Sequence, residues 1–146
     1  MTEDSYIEVY NKALDILSRR EHSQKELSDK LLKKFSNQDL IEQSIQKLED
    51  NCLVNDERFS EHYVAARKRK GFGPKKISYE LVSKGVEKSI ASKAIFESGE
   101  WKELAHQVFN KKFKEGVAVD FKLKTKQKNF LINRGFSFTE IESVFN

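Results

Sequence analysis

Catalysis needs side chains grouped to hold a metal, attack an electrophile or move a proton, and this chain groups few of them. Its histidines, His22, His62 and His106, lie about 40 residues apart, and Cys52 has no second cysteine to share a metal or a disulfide. Metal sites need His, Cys or carboxylate ligands at close spacing, so these histidines read as ordinary surface or boundary residues. Gly71-Phe72-Gly73 supplies two glycines of a dinucleotide loop, but the third place holds Lys76 and no strand-like run precedes it. The Gly-Lys-Ser/Thr of a phosphate loop is missing there too, and no Ser–His–acid set can be nominated. Neither enzymatic turnover nor a metal or cofactor is expected.

Binding chemistry is better represented. Arg67-Lys68-Arg69-Lys70-Gly71-Phe72-Gly73-Pro74-Lys75-Lys76 holds six cations and no acid. Further on, Lys111, Lys112, Lys114, Lys122, Lys124, Lys126 and Lys128 outnumber Glu115 and Asp120. Clustered cations suit phosphates, because each neutralised phosphate releases condensed counterions. Lysine runs also form solvated helix faces, and for Lys122–Lys128 that reading weighs equally. The first cluster favours phosphate more strongly, since its Gly-Pro turn opens a helix whose N-terminus would add a positive dipole end. The candidate binding residues are therefore Arg67, Lys68, Arg69, Lys70, Lys75 and Lys76. Lys111, Lys112, Lys124 and Lys128 form a second set. Arg19 and Arg20 form a third, through their correspondence with Arg67 and Lys112 at the end of a first helix.

The elements that must position these residues are helices. Apolar residues recur at three- and four-residue steps: Ile7, Tyr10, Leu14 and Leu17; Leu27, Leu31 and Leu32; Leu40, Ile41, Ile45 and Leu48. Ser23-Gln24-Lys25-Glu26 reads as a capping box, Pro74 as a first helical residue, and Gly85 and Gly135 as helix stops. Asp56 is expected to cap the helix that follows it. Phe59 and Tyr63, one turn apart, are expected in a core. One segment, Phe121–Lys128, alternates with period two and leaves a strand as the minor alternative to a helix.

A repeat emerges on offsetting the sequence by 50: Leu31, Leu81 and Leu131 coincide, as do Leu32, Val82 and Ile132, and Phe35, Gly85 and Gly135. The first helices, Ala13–Arg20, Ser60–Arg67 and Ala105–Lys112, correspond at intervals of 47 and 45. The expected fold is all-α, three tandem three-helix repeats forming an elongated, curved array, with units at 5–51, 52–98 and 99–146. Units this small need their neighbours for stability.

Composition sets the remaining bounds. The 146 residues carry 27 Lys+Arg against 23 Asp+Glu, and the net charge of +4 divides into −3 over residues 1–50, +3 over 51–100 and +4 over 101–146. An acidic first unit suits a polar protein partner, with nucleic acid contacted by the later ones. No apolar run approaches the roughly 20 residues of a membrane span, and Met1-Thr2-Glu3-Asp4-Ser5 does not resemble a secretory signal. With a single cysteine, a reduced, cytoplasmic setting is expected, and the 11 phenylalanines spread along the chain argue for a folded protein.

Leu53-Val54-Asn55-Asp56-Glu57-Arg58-Phe59-Ser60-Glu61-His62-Tyr63-Val64, Arg67, Lys70-Gly71-Phe72-Gly73-Pro74, Glu80-Leu81 and Lys84-Gly85-Val86 closely resemble the RecX family of recombination regulators. Ala13-Leu14, Leu17-Ser18-Arg19-Arg20-Glu21-His22-Ser23 and Glu26-Leu27 look like that family's first unit. Lys111-Lys112-Phe113, Phe130-Leu131 and Arg134-Gly135-Phe136-Ser137-Phe138 look like its third. One departure is Ser60, where the family usually has Ala. The resemblance implies an all-helical array of three three-helix repeats that binds the filament formed by RecA recombinase on single-stranded DNA. It also implies suppression of ATP hydrolysis, strand exchange and SOS-repressor cleavage. The expected partner is thus the RecA filament, with direct contact to single- or double-stranded DNA left open. No membrane partner is expected, and the chain is expected to be a monomer. The alternative is a stand-alone DNA-binding protein built from helix-turn-helix-like units.

Overall fold

The computed structural model describes residues 5–146; residues 1–4, most of the segment compared above with a secretory signal, lie outside the described residues. Those described form nine helices: α1 (Tyr6–Leu17), α2 (Gln24–Leu32), α3 (Gln38–Asp50), α4 (Asp56–Arg69), α5 (Pro74–Ser83), α6 (Lys88–Ser98), α7 (Trp101–Lys112), α8 (Phe121–Arg134) and α9 (Phe138–Phe145). No strand occurs among them, and Phe121–Lys128 is the start of α8. The chain is all-α, made of three tandem three-helix units.

Local chemistry sets most helix ends. Ser5, Ser23, Asn37, Asn55, Asp120 and Ser137 each accept a backbone N–H from the first turn that follows. The Ser23–Glu26 capping box is formed, as is one at Ser137–Glu140. Pro74 is the first residue of α5, where its missing N–H is no loss. Asp56 departs from expectation. Asn55 caps α4, its side chain accepting from the Arg58 N–H at 2.9 Å. The Asp56 carboxylate instead accepts the N–H of Gln24, at the start of α2, at 2.9 Å. With Asn55 already in the cap, Asp56 sits in the first turn and is free to serve the start of another helix.

Each unit closes on its own core. The first buries Val9, Ala13 and Ile16 with Leu27, Leu31, Phe35, Ile41, Ile45, Leu48 and Val54. The buried stripe of α1 is thus one residue earlier than the Tyr10–Leu14–Leu17 set, which flanks it, and Ile7 is exposed. The second core gathers Phe59, Val64, Ile77, Leu81, Val86, Ala91 and Ala94, and the third Ala105, Phe109, Leu131, Phe136, Ile141 and Val144. Repeat-equivalent positions share one environment: Leu31, Leu81 and Leu131 are fully buried, as are Ala13, Ser60 and Ala105, while Leu32, Val82 and Ile132 are exposed. Small residues at Ala13, Ser60 and Ala105 let each first helix lie close against its neighbours. The Ser60 hydroxyl is satisfied by donating to the Asp56 carbonyl.

Successive units meet through their second helices. The turn that ends α5 lies against the first turn of α2, and the turn that ends α8 lies against the first turn of α5. At the first joint Ser23 Oγ donates to the Lys84 carbonyl at 2.7 Å. At the second, the Gly73 N–H donates to the Arg134 carbonyl at 2.7 Å and the Lys75 N–H to the Gly135 carbonyl at 2.9 Å. The carbonyl end of each later helix therefore satisfies donors at the N-terminal end of the earlier one, with opposite dipole ends in contact. The order α8, α5, α2 is a head-to-tail series whose 14, 10 and 9 residues make about 50 Å of helix. Such close approach leaves no room for a side chain. A Cβ at Gly135 (φ +98) would lie 2.3 Å from Lys76 Cβ, and one at Gly85 (φ +86) would lie 2.4 Å from Lys25 Cβ.

Ion pairs reinforce the first joint. Glu26 accepts from both Arg20 Nη atoms and from Lys84 Nζ at 3.3 Å, and Arg58 Nε reaches Glu21 at 2.9 Å. Burial pushes the Glu26 carboxyl upward, but the Arg20 hydrogen bonds, the Ser23 N–H and the charges of Arg20 and Lys84 more than offset it, leaving it below its ordinary value. Beside this network His22 is buried, with Nδ1 2.9 Å from the Arg20 carbonyl and Nε2 2.7 Å from Lys30 Nζ. That arrangement fits a neutral ring whose Nδ1 proton is donated to the carbonyl and whose Nε2 accepts from the ammonium.

Two predictions follow the joints. Gly135→Ala, which adds left-handed strain and a clash, should lower stability in urea by about 2–5 kcal/mol. Gly116→Ala, also at positive φ but with nothing within 4 Å, should show only the strain, about 1–2 kcal/mol. Burial, aided by Arg20 and Lys30, holds the His22 pKa below 6.5 despite the opposing backbone carbonyl. The unfolded chain then binds the proton more readily, so the His22 contribution is complete above the unfolded pKa and is lost as pH falls below it. Urea midpoints should decline from pH 7 to pH 5, less steeply in His22→Gln.

Candidate polyanion-binding interface

The second joint opens on one side into a groove of about 510 Å³. Its walls are the end of α4 (Lys68, Arg69, Lys70, with Gly71), the inner face of α7 (Leu104, Gln107, Val108, Lys111, Lys112) and, from α8, Phe130 and Arg134. No carboxylate lines it. Two cation clusters some forty residues apart in sequence thus share one surface, because α4 and α7 belong to adjoining units.

Not every candidate residue is available there. Arg67 makes a bidentate pair with Glu80 at 2.9 and 2.8 Å, and its guanidinium lies 3.9 Å from the centre of the Phe72 ring. Tyr63 donates to the same carboxylate at 2.9 Å, and burial together with Glu80 pushes its hydroxyl up to about 12. Lys68 Nζ donates to Ser98 Oγ at 2.9 Å and to the Gly99 carbonyl at 2.8 Å, and sits 4.7 Å from the Trp101 ring. It closes the end of α6. Lys128 pairs with Glu142 at 3.2 Å, Arg19 with Asp15 and Arg20 with Glu26, both at 3.3 Å. Lys76 is half-buried, 5.1 Å from the Phe72 ring, and Lys124 is half-buried on α8.

Arg69, Lys70, Lys111 and Lys112 remain exposed in the groove, and none forms an ion pair with a described residue. Lys75 is exposed outside it. The expected dipole contribution from α5 is absent, because the Gly73 and Lys75 N–H groups are spent on the second joint. Sequence reasoning missed Arg134 and its aromatic neighbours. Arg134 donates to the Lys70 carbonyl at 3.1 Å and lies 5.2 Å from both the Phe72 and Phe130 rings. The available signal was its register with Lys84, 50 residues earlier, a cation at the equivalent joint.

Among the described residues there is no group of three or more His, Cys, Asp or Glu able to hold a metal, and no helix long and apolar enough to cross a membrane. Tandem three-helix units joined head to tail define a helical-repeat protein, here with unneutralised cations in an open groove. Family models described as the first, second and third three-helix domains of RecX match residues 10–48, 55–95 and 100–145. The regulatory protein RecX of Pseudomonas fluorescens strain Pf-5 is 33% identical over 144 residues, covering 98% of this chain and 93% of that protein. The one from Pseudomonas savastanoi pv. phaseolicola is 33% identical over 134 residues, covering 91% and 86%. A crystal structure of RecX from Lactobacillus salivarius superposes with a TM-score of 0.83 at 28% identity, over 96% of this chain and 94% of the other. The chain belongs to the RecX family, whose members here carry the name of regulatory proteins.

The division between structural and available cations is measurable. Arg67→Ala should cost about 1.5–3 kcal/mol in urea unfolding by stranding Glu80, whereas Arg69→Ala should change stability by no more than about 0.5 kcal/mol.

Proposed function

We propose that this protein binds the filament that RecA recombinase forms on single-stranded DNA and restrains it. Filament binding would suppress ATP hydrolysis, strand exchange and the SOS co-protease activity. The observation that carries this reading is the extended, head-to-tail series of second helices, about 50 Å of helix, in a chain of the RecX family. An extended body can touch several subunits of a helical polymer at once, and contacts made together raise overall affinity far above that of each alone. The cations left unpaired at the second joint supply a surface for the polymer's anionic component.

The test is inhibition of DNA-dependent ATP hydrolysis by the recombinase at physiological salt, with light scattering to follow binding. The wild-type chain should inhibit, and Arg69→Glu/Lys70→Glu should weaken inhibition about tenfold or more with unchanged helicity. Undiminished inhibition by that variant would remove the groove from the mechanism. Affinity for bare single- or double-stranded DNA equal to that for the filament would favour the stand-alone DNA-binding reading instead.

A further inference from the structure

We propose that the groove across the second joint is a sequence-blind phosphodiester site, holding the backbone of one nucleic-acid strand through Arg69, Lys70, Lys111 and Lys112.

The internal repeat provides the control. In the second unit Arg67 is neutralised by Glu80 at 2.8 Å. Their counterparts in the third unit are Lys112, 45 residues on, and Phe130, 50 residues on. A phenyl ring thus stands where the carboxylate stood, and Lys112 lies 5.7 Å from its centre with its charge uncompensated. The first joint pairs the cations of its network with carboxylates: Arg20 and Lys84 with Glu26, and Arg58 with Glu21. At the second joint the equivalent surface has cations and no carboxylate. Four unpaired cations lining one groove make a surface of a single sign, which draws anions to it.

The chemistry of the walls favours a phosphodiester over an acidic polypeptide. Three of the four free cations are lysines, whose ammonium groups meet phosphate oxygens as point charges and impose no fixed orientation on the strand. The walls are helices and the turn that ends α4, where the Lys70 and Gly71 N–H groups are bonded to the Arg67 and Lys68 carbonyls, and an extended peptide would bring amide groups that need partners. A phosphodiester chain has none. A groove of about 510 Å³ seats a short stretch of one strand rather than a duplex. Nor are the bases needed. Phe130 is already engaged by Lys112, Arg134 and Phe113, and Phe72 by Arg67, Lys76 and Arg134.

This inference rests on the proposed function only for the source of the strand, the DNA within the filament. The experiment omits the recombinase, so the two can fail separately. Fluorescence anisotropy would compare a labelled oligothymidylate of about twelve nucleotides with an abasic oligomer of the same length and a polyglutamate peptide. Thymidylate and abasic oligomers should bind within about threefold of each other, and log affinity should fall against log salt with a slope of about −3, as for four phosphates of a single strand. Lys111→Ala/Lys112→Ala should lose tenfold or more at low salt and flatten that slope, with unchanged helicity and urea midpoint. The idea is overturned if the abasic oligomer does not bind, if thymidylate binds far more tightly than it, if polyglutamate outcompetes both, or if the stably folded double variant binds like wild type.

Discussion

Everything in this molecule depends on one contact: the carbonyl end of a second helix meeting the N-terminal donors of the second helix one unit earlier. A helix end leaves four carbonyls or four amides without intrahelical partners; at the second joint one shortage relieves the other, and at the first the Ser23 hydroxyl is the donor. The contact sets direction, because only opposite ends can pair, and it demands glycine, because the chain segments approach more closely than a Cβ allows. The glycine stands only where the contact is made: in the first unit the residue in register with Gly85 and Gly135 is Phe35, which turns into its own core. In the third unit α8 starts at Phe121, three residues earlier than the register of Gln24 and Pro74 predicts.

The two joints share a close approach at a glycine and differ in their hydrogen bonds and electrostatics. The first is a network of matched charges, with Glu26 at its centre receiving Arg20, Lys84 and the Ser23 N–H. Asp56 adds a crossing hydrogen bond to α2. Burial, and then the nearby Glu49, Glu87 and Glu26, raise the Asp56 carboxyl above its ordinary value against the Gln24 N–H, so this edge of the joint is acidic. The second joint holds its helices with backbone hydrogen bonds and with cations on aromatic rings, a contact worth about 0.5–2 kcal/mol each. Lacking carboxylates, it leaves charge to spare. One repeat, copied with different side chains, carries a network of matched charges at one joint and an open cationic groove at the other.

Helix positions and their capping residues were legible in the sequence because they depend on neighbours within about one turn. The Ser23–Glu26 box, the Pro74 start and the glycine stops at 85 and 135 are local devices, and each appears where its residue types place it. The core followed from period and register: Leu31, Leu81 and Leu131 share one fate because they share one helix face. Asn55 and Asp56 show the limit of local reasoning. Both are good caps, and which one caps α4 depends on a single residue of phase, while the other's partner lies in a different unit.

The cationic groove was legible only as an inventory of charge. Sequence by itself determined an all-helical repeat, a polarised charge distribution and two clusters of cations. Tertiary structure alone decided that Arg67 and Lys68 are structural, that Arg69 and Lys70 face Lys111 and Lys112, and that the N-terminus of α5 is closed to ligands. The physical reason is range. A helix or a cap is settled by interactions between residues a few positions apart, whereas a cation is free or neutralised according to which carboxylate, carbonyl or ring lies within a few ångströms. That is set by how units dock.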